Sequence, residues 1–231
     1  MKILLVGYGR MGQLVGQLAG QYDCEVAGIV DPLSPSHTAD IDDPRWRGAV
    51  DVAVDFSLAD AVPVNLPALA RVGLNVVVGT TGWARQEAAL RAAAEQAGIG
   101  VVAAPNFSAG VVIFEAIVKR AATLAASQSD VGAWLHEAHH VMKKDAPSGT
   151  ALLLKVAMEE AGYVRPIDVS STRAGHIPGT HTIGFDGPAE SITLSHTARD
   201  RSAFARGALQ AARWVKGRRG WFTMQDVLGV S

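Results

Sequence analysis

The 231-residue chain reads as an α/β protein in which a doubly wound parallel sheet is followed by a second, α+β unit. Three observations predict this. Short unbroken apolar runs alternate with helical periodicities up to about residue 103, a glycine-rich turn separates the first run from the first helix, and beyond Pro105 the pattern changes character. At roughly 100–200 residues per domain, the length suits one large domain or two modest ones.

Residues 3–6 form a continuous apolar run bounded by Gly7, the mark of a strand buried on both faces of a parallel sheet. Met11, Leu14, Val15, Leu18 and Ala19 then recur at helical spacing, with Gly20 placed to end the helix. Further strands are predicted at 26–30, 50–55, 75–78 and 99–103, and a helix rich in Ala, Leu, Arg and Glu at 83–97. Pro63 and Pro67 should shorten or kink any helix over 59–70. Strands alternating with helices imply right-handed crossovers and a doubly wound sheet. The boundary falls near residue 108: a long helix is expected over 111–126, a strand over 131–140, and a helix over 148–161. Strands joined by turns such as Ile177-Pro178-Gly179 should fill 170–198. Phe204, Ala208, Ala211, Ala212 and Val215 mark a last helix that returns to the first domain, so the domains are 1–108 with 202–231, and 109–201.

Composition narrows the function. Hydrophobic residues make up 48% and charged residues 19%, and 21 Lys plus Arg balance 22 Asp plus Glu, so bulk charge suggests neither nucleic acid nor an anionic membrane as partner. The one cysteine, Cys24, allows no intrachain disulfide and no thiolate metal cage, which suits a reducing compartment. The opening apolar run is too short for a signal-peptide core, and no stretch approaches a membrane-spanning helix, so a soluble cytoplasmic protein is expected.

Gly7-Tyr8-Gly9-Arg10-Met11-Gly12 is a G-x-G-x-x-G lying between the first strand and first helix, and Asp31 ends the second strand about 20 residues on. In this context the turn predicts a Rossmann-like dinucleotide site, with glycines admitting a pyrophosphate to the helix N-terminus. A carboxylate at Asp31 favours a free ribose 2′-hydroxyl, and Pro32 follows where an Arg would help a 2′-phosphate. The cofactor is therefore NADH or NADPH, with NADH favoured; Arg10 is the residue that can compensate for the latter. Two loops after later strands, Gly79-Thr80-Thr81-Gly82 and Ala104-Pro105-Asn106-Phe107, are candidate walls for the nicotinamide, and Asp55-Phe56-Ser57 sits at an equivalent strand end.

The densest chemistry runs from His136 to Thr150. His136, Glu137 and His140 satisfy H-E-x-x-H, but that zinc pattern needs a helix, whereas this segment alternates like a strand and indicates no third ligand; no metal is predicted. Instead His139, His140 and Lys143 concentrate proton-transfer and cationic groups, and Ser148-Gly149-Thr150 opens a helix whose N–H groups suit a carboxylate, with Ser148 also placed to cap it.

Glu137 to Ala151 reads E-x-H-H-x-x-K-x-D-x-P-S-G-T-A, and with it stand the G-R-M-G loop, Asp-Phe-Ser, G-T-T-G, Pro-Asn-Phe-Ser and Arg173-Ala174-Gly175 leading to Pro178-Gly179-Thr180-His181. In these segments, and in 196–208, the chain resembles the 4-hydroxy-tetrahydrodipicolinate reductase (dihydrodipicolinate reductase) family of the bacterial diaminopimelate and lysine pathway. The resemblance implies reduction of a small cyclic dicarboxylate, either the hydroxylated substrate with dehydration or the dihydro form, to tetrahydrodipicolinate. It implies His139 as catalytic acid/base and Lys143 as proton donor or charge partner. His140, Ser148, Gly149, Thr150 and Arg201 would hold the substrate. Gly7, Tyr8, Gly9, Arg10, Met11, Asp31, Gly79, Thr80, Thr81, Ala104, Pro105, Asn106 and Phe107 would hold the cofactor. It also implies a homotetramer assembled through the second domain, and hinges near 106–110 and 200–205. Relative to many members the glycine loop is a residue shorter and Asp31-Pro32 lacks a basic neighbour, which bears on cofactor preference. Two rival readings are a non-catalytic NAD(H)-responsive binding protein on the same fold and a different Rossmann dehydrogenase; neither needs the His139–Thr150 segment.

Overall fold

The computed structural model describes residues 1–230. The chain divides into two compact units, Met1–Ala109 together with the stretch from Ser202 onward, and Gly110–Arg201. Strands β1 (Lys2–Val6), β2 (Glu25–Val30), β3 (Val52–Asp55), β4 (Asn75–Val78) and β5 (Gly100–Ala103) occupy the first stretch. The second unit holds β6 (Gly132–His139), β7 (Ile167–Arg173), β8 (Thr180–Asp186) and β9 (Ser191–Thr197), and β10 (Gly220–Phe222) follows in the returning stretch. The helices are α1 (Arg10–Leu18), α2 (Val62–Arg71), α3 (Glu87–Ala97), α4 (Ala109–Ala126), α5 (Gly149–Glu160), α6 (Ser202–Val215) and α7 (Met224–Leu228). Among the described residues no helix is long and apolar enough to cross a membrane.

The first unit is a parallel sheet in the order β10-β5-β4-β3-β1-β2. Its central strands are apolar apart from Asp55 and Asn75 because both faces are covered, α2 packing on β4 and α3, and α6 on β3, β4, β5 and α1. The chain departs from β1 to β2 on one side and returns to β3 on the other, so a crevice opens beyond the carboxyl ends of β1 and β3. Gly7 lies in that crevice with φ +82°, and a Cβ there would come 2.6 Å from the carbonyl oxygen of Phe56.

Several local expectations need correction. α1 ends at Leu18 and tightens into a 3₁₀ turn, Ala19–Tyr22, closed by Asp23 at φ +53°; Gly20 lies within that turn. α2 begins only at Val62, so Pro63 shortens the helix as expected, but it then continues through Pro67. Pro63 sits in the first turn, where its missing N–H has no partner to lose, and burial of Val62, Leu66, Leu69 and Ala70 offsets the roughly 3 kcal/mol cost of Pro67. The helix predicted over 83–97 begins with a 3₁₀ turn, Ala84–Gln86. β7 starts earlier than expected, at Ile167, and β10 and α7 were not expected at all.

Asn75 is a buried polar residue at the start of an apolar strand, and its partners explain it. Its Nδ2 donates to the carbonyls of Val215 (2.6 Å) and Arg218 (3.2 Å), and its Oδ1 accepts from the Gly100 amide (2.8 Å). It thereby satisfies the end of α6 and joins β4 to β5.

The second unit is a mixed sheet, β7-β6-β8-β9, in which β6 and β7 are parallel and the remaining pairs antiparallel. One face carries Ala133, Leu135, Ile167, Ile183 and Phe185, which pack against Phe114 and Val118 of α4 and Leu154 and Met158 of α5. The other face carries Trp134, His136, Ser170, Thr172 and Thr182, and the Trp134 ring lies so close over Gly184 that a Cβ there would meet it at 2.1 Å. The strand period of two places Glu137 and His139 on the same face as Leu135, so the core side of β6 turns polar at its carboxyl end.

Replacing Asn75 by Leu leaves the buried Gly100 amide without its acceptor and removes a donor from the Val215 and Arg218 carbonyls, and a loss of about 1–3 kcal/mol is expected. Urea unfolding checks this; an unchanged midpoint is the contrary result.

Candidate active site

The first unit offers a cavity of about 730 Å³ whose walls include Gly7, Gly9, Asp31, Leu33, Ser57 and Asn65. Asp31 closes it. Its Oδ2 accepts from the Tyr8 amide at 2.7 Å and its Oδ1 from the Leu33 amide at 3.1 Å, so one carboxylate ties the glycine loop to the end of β2. Gly9 is the N-cap of α1; among the described residues no side chain caps it, and a Cβ there would meet nothing within 4 Å. Gly12 is needed for a different reason, since its Cβ would come 2.1 Å from the Gly7 carbonyl oxygen. Open space, uncapped helix amides and a carboxylate beyond them fit a dinucleotide. Arg10 is exposed beside this loop and Met11 half-buried.

Sequence reasoning named Asp55 only as a strand end, yet it organises the crevice. It is buried and accepts from the Ser57 amide (2.9 Å), the Ser57 hydroxyl (2.6 Å), Thr80 Oγ1 (3.1 Å) and Asn65 Nδ2 (3.0 Å). Thr80, Thr81, Ala104 and Pro105 meet on a second cavity of about 350 Å³, beside Trp83 and Trp221. Three further predicted cofactor positions on these loops also have roles within the fold itself. Gly79 is required because a Cβ would strike the Phe56 ring at 2.1 Å, Asn106 caps the Ser108 amide (2.8 Å), and Phe107 is buried edge-on to Phe56.

In the second unit the carboxyl end of β6 meets β7, β8 and the start of α5. Glu137 is fully buried; its Oε1 and Oε2 accept from Arg173 Nη2 (2.7 Å) and Nη1 (2.9 Å) of β7, and Oε2 also accepts from His139 Nδ1. Burial alone would raise its pKa, but hydrogen bonds from Arg173, Ser171 and His139 outweigh that and hold it at about 2. Burial pulls His139 below the ordinary imidazole value against the opposing pull of Glu137, and its side chain keeps 12% exposure. His181 of β8 stands edge-on to His139 with ring centroids 5.2 Å apart. It is held at about 4, chiefly by burial and then by the neighbouring His139.

Ser148 is buried and caps α5, accepting from the Ala151 amide at 3.2 Å while its hydroxyl meets His181 Nε2 at 3.0 Å. Its side chain faces inward, between the start of α5 and His181. Gly149 is exposed and Thr150 half-buried in the first turn of α5, and His140 is half-buried with its carbonyl accepting from the Lys143 amide at 3.1 Å. Lys143 Nζ donates to both oxygens of Asp145 at 2.9 Å, and this pairing, together with the Gly149 amide, lowers the Asp145 pKa. Arg201 is exposed at the end of the unit.

The zinc pattern does not assemble as written. His136 faces the opposite side of the sheet, where its Nε2 meets Thr172 Oγ1 at 3.0 Å. A third group does converge, contrary to expectation: donor atoms of Glu137, His139 and His181 lie within 4.8 Å of one another. A guanidinium on both oxygens of that carboxylate makes the place a poor one for a cation. Arg173 and His181 were missed as site residues, since linear spacing says nothing about which strands flank β6.

Residues 1–107 match the family described as dihydrodipicolinate reductase, N-terminus, and residues 110–228 match dihydrodipicolinate reductase, C-terminus. The 4-hydroxy-tetrahydrodipicolinate reductase of Methanoregula boonei is 38% identical over 254 residues, spanning 99% of this chain and 98% of that protein. That of Christiangramia forsetii is 33% identical over 239 residues, with 99% and 98% covered. Among solved structures, the dipicolinate-bound dihydrodipicolinate reductase from Paenisporosarcina sp. TG-14 shares the fold with a TM-score of 0.83 at 22% identity, covering 98% of both chains. GenD2 from gentamicin A biosynthesis, in complex with NAD, gives 0.61 at 16% identity over 100% of this chain and 90% of that one. Matched through both units and along its full length, the chain belongs to the dihydrodipicolinate reductase family.

Proposed function

We infer that this chain reduces 4-hydroxy-tetrahydrodipicolinate to tetrahydrodipicolinate with NADH, the ring hydroxyl leaving as water, the first unit holding the dinucleotide and the second the cyclic dicarboxylate. The observation that carries the substrate half is Asp145. Lys143 already holds both oxygens of a carboxylate, and it lies near enough to the His139 imidazole to act on it electrostatically. A ring carrying two carboxylates finds there the partners it needs without the protein being basic overall.

The dinucleotide, when bound, supplies a hydride to the substrate ring. The chain's task is to answer the charge that develops on the ring. His139 rests neutral near pH 7, because burial lowers its pKa, and two substrate carboxylates nearby favour its charged form. It then gives that proton to the reduced ring, with Lys143 as the alternative donor or the ammonium that holds a carboxylate. Gly149 and Thr150 offer N–H groups to the carboxylates, with His140 and Arg201 as further partners, while Ser148 supports them by fixing the helix start.

On the cofactor side, the Asp31 carboxylate repels a 2′-phosphate and accepts from a ribose hydroxyl, which favours NADH. The glycine loop with Tyr8, Arg10 and Met11 takes the pyrophosphate, and Thr80, Thr81, Ala104 and Pro105 flank the nicotinamide. Gly79, Asn106 and Phe107 shape those walls from behind. The hydroxyl-rich open face of the mixed sheet, with Trp134 at its centre, supports assembly into a homotetramer, and the setting is the cytoplasm.

His139→Gln and Lys143→Ala are each expected to lower kcat by at least about 10²-fold, the usual scale of general-acid catalysis, while dinucleotide binding persists. Steady-state reduction of freshly made substrate checks this, and undiminished turnover in both variants sinks the assignment. Wild-type kcat/KM should be at least about tenfold higher with NADH than with NADPH, because like charges facing each other are costly. Asp31→Ser should narrow that gap; equal use of both dinucleotides by the unaltered protein is the contrary outcome.

A further inference from the structure

The buried pair behind His139 has a more specific task than holding β6 and β7 together. His139 Nδ1 faces Glu137, which leaves Nε2 on the other side of the ring, within 3.2 Å of where a Cβ on Gly179 would stand. Glu137 takes two donors from Arg173, one from His139 and one, at 3.3 Å, from the Ser148 amide, with the Ser171 side chain also donating to it. Arg173 is fastened in turn by the carbonyls of Asp145 (2.5 Å) and Thr172 (2.8 Å). The charged and titratable groups around the imidazole are thus Glu137 on its own strand, Arg173 on β7, His181 on β8 and Lys143 on the following loop. His181 is neutral, and its Nε2 faces the Ser148 hydroxyl.

We propose that Glu137 and Arg173 are positioning residues for His139: the carboxylate keeps the imidazole proton on Nδ1 so that Nε2 exchanges protons with substrate, and the guanidinium stops the carboxylate from taking a proton itself. The chemistry requires both halves. A neutral imidazole with Nδ1–H on a carboxylate has a lone pair at Nε2, accepts a proton there, and returns it from the same atom. Without Arg173, a buried Glu137 would compete for that proton, giving a carboxylic acid beside a neutral imidazole and leaving nothing to donate. The pair acts through His139 and does not itself touch substrate, so the proposal rests on the proton-transfer reading of His139 given above.

Three measurements test it. In protein labelled with ¹⁵N at histidine, the His139 resonances at neutral pH should report the Nδ1–H form; the Nε2–H form overturns the proposal, whatever the activity. Glu137→Gln should lower kcat by at least about 10²-fold with little change in either KM, as expected when a general acid loses its orientation. Arg173→Met should add an ionisation to kcat/KM on the acid side, because Glu137, no longer held low, protonates as pH falls and ceases to accept Nδ1–H. Arg173→Lys, which keeps the positive charge, should restore most of the wild-type profile. A folded Glu137→Gln protein with wild-type kcat and pH profile overturns the proposal, and if that variant does not fold, the resonances of the unaltered protein decide. Full activity of His139→Gln would instead remove the proton-transfer reading and leave the tautomer result standing, so the two failures are distinguishable.

Discussion

A carboxylate taken wholly out of water persists as an anion only where other groups replace its hydration, and the polar end of the second unit is organised around that requirement. Glu137 is reached by a guanidinium from β7, an imidazole two residues along its own strand and the amide that opens α5. Each partner belongs to a different element, so the three elements are fixed in register by one side chain. Removing one member of such a group costs more than the group contributes as a whole, because the remaining charge is left buried and alone. The same arrangement sets the electrostatics of the site. Glu137 stays ionised, His181 stays neutral, and His139 lies between two opposing influences that nearby charge can tip.

The first unit meets an analogous requirement with neutral donors. Asp55 is buried at the carboxyl end of β3 and is answered by two hydroxyls, an amide side chain and a backbone N–H. Its partners come from the loops after β3 and β4 and from α2, so the walls of the crevice are held by their own hydrogen bonds. Asp31 does the same for the glycine turn. The residue expected to read the ribose also holds the backbone that approaches the phosphates, so its replacement alters both at once.

Much of this is legible in the sequence, for identifiable reasons. β1, β3, β4 and β5 are buried on both faces and leave short unbroken apolar runs, while the glycine turn has its meaning because of the strand and helix around it. β10 escapes because three residues, Gly220 to Phe222, have no period to count. The continuation of α2 past Pro67 is missed because local propensity weighs the proline, whereas buried Leu66, Leu69 and Ala70 around it decide. In the His136–Thr150 segment the chemistry is visible and the division of labour is not. Ser148 reads equally well as a substrate contact or a helix cap, and only the positions of Ala151 and His181 settle which way its hydroxyl points. Arg173 reads as a charge in a turn-rich stretch until β7 is paired beside β6.

Leu33 and Leu58 stand 96% and 75% exposed at the rim of the larger cavity. Two large apolar side chains held in water beside a concave wall leave apolar surface whose hydration a ligand covering them would release. Any ligand that covers them would therefore bind with the negative heat-capacity change that accompanies desolvation of apolar surface, whatever charge it carries elsewhere.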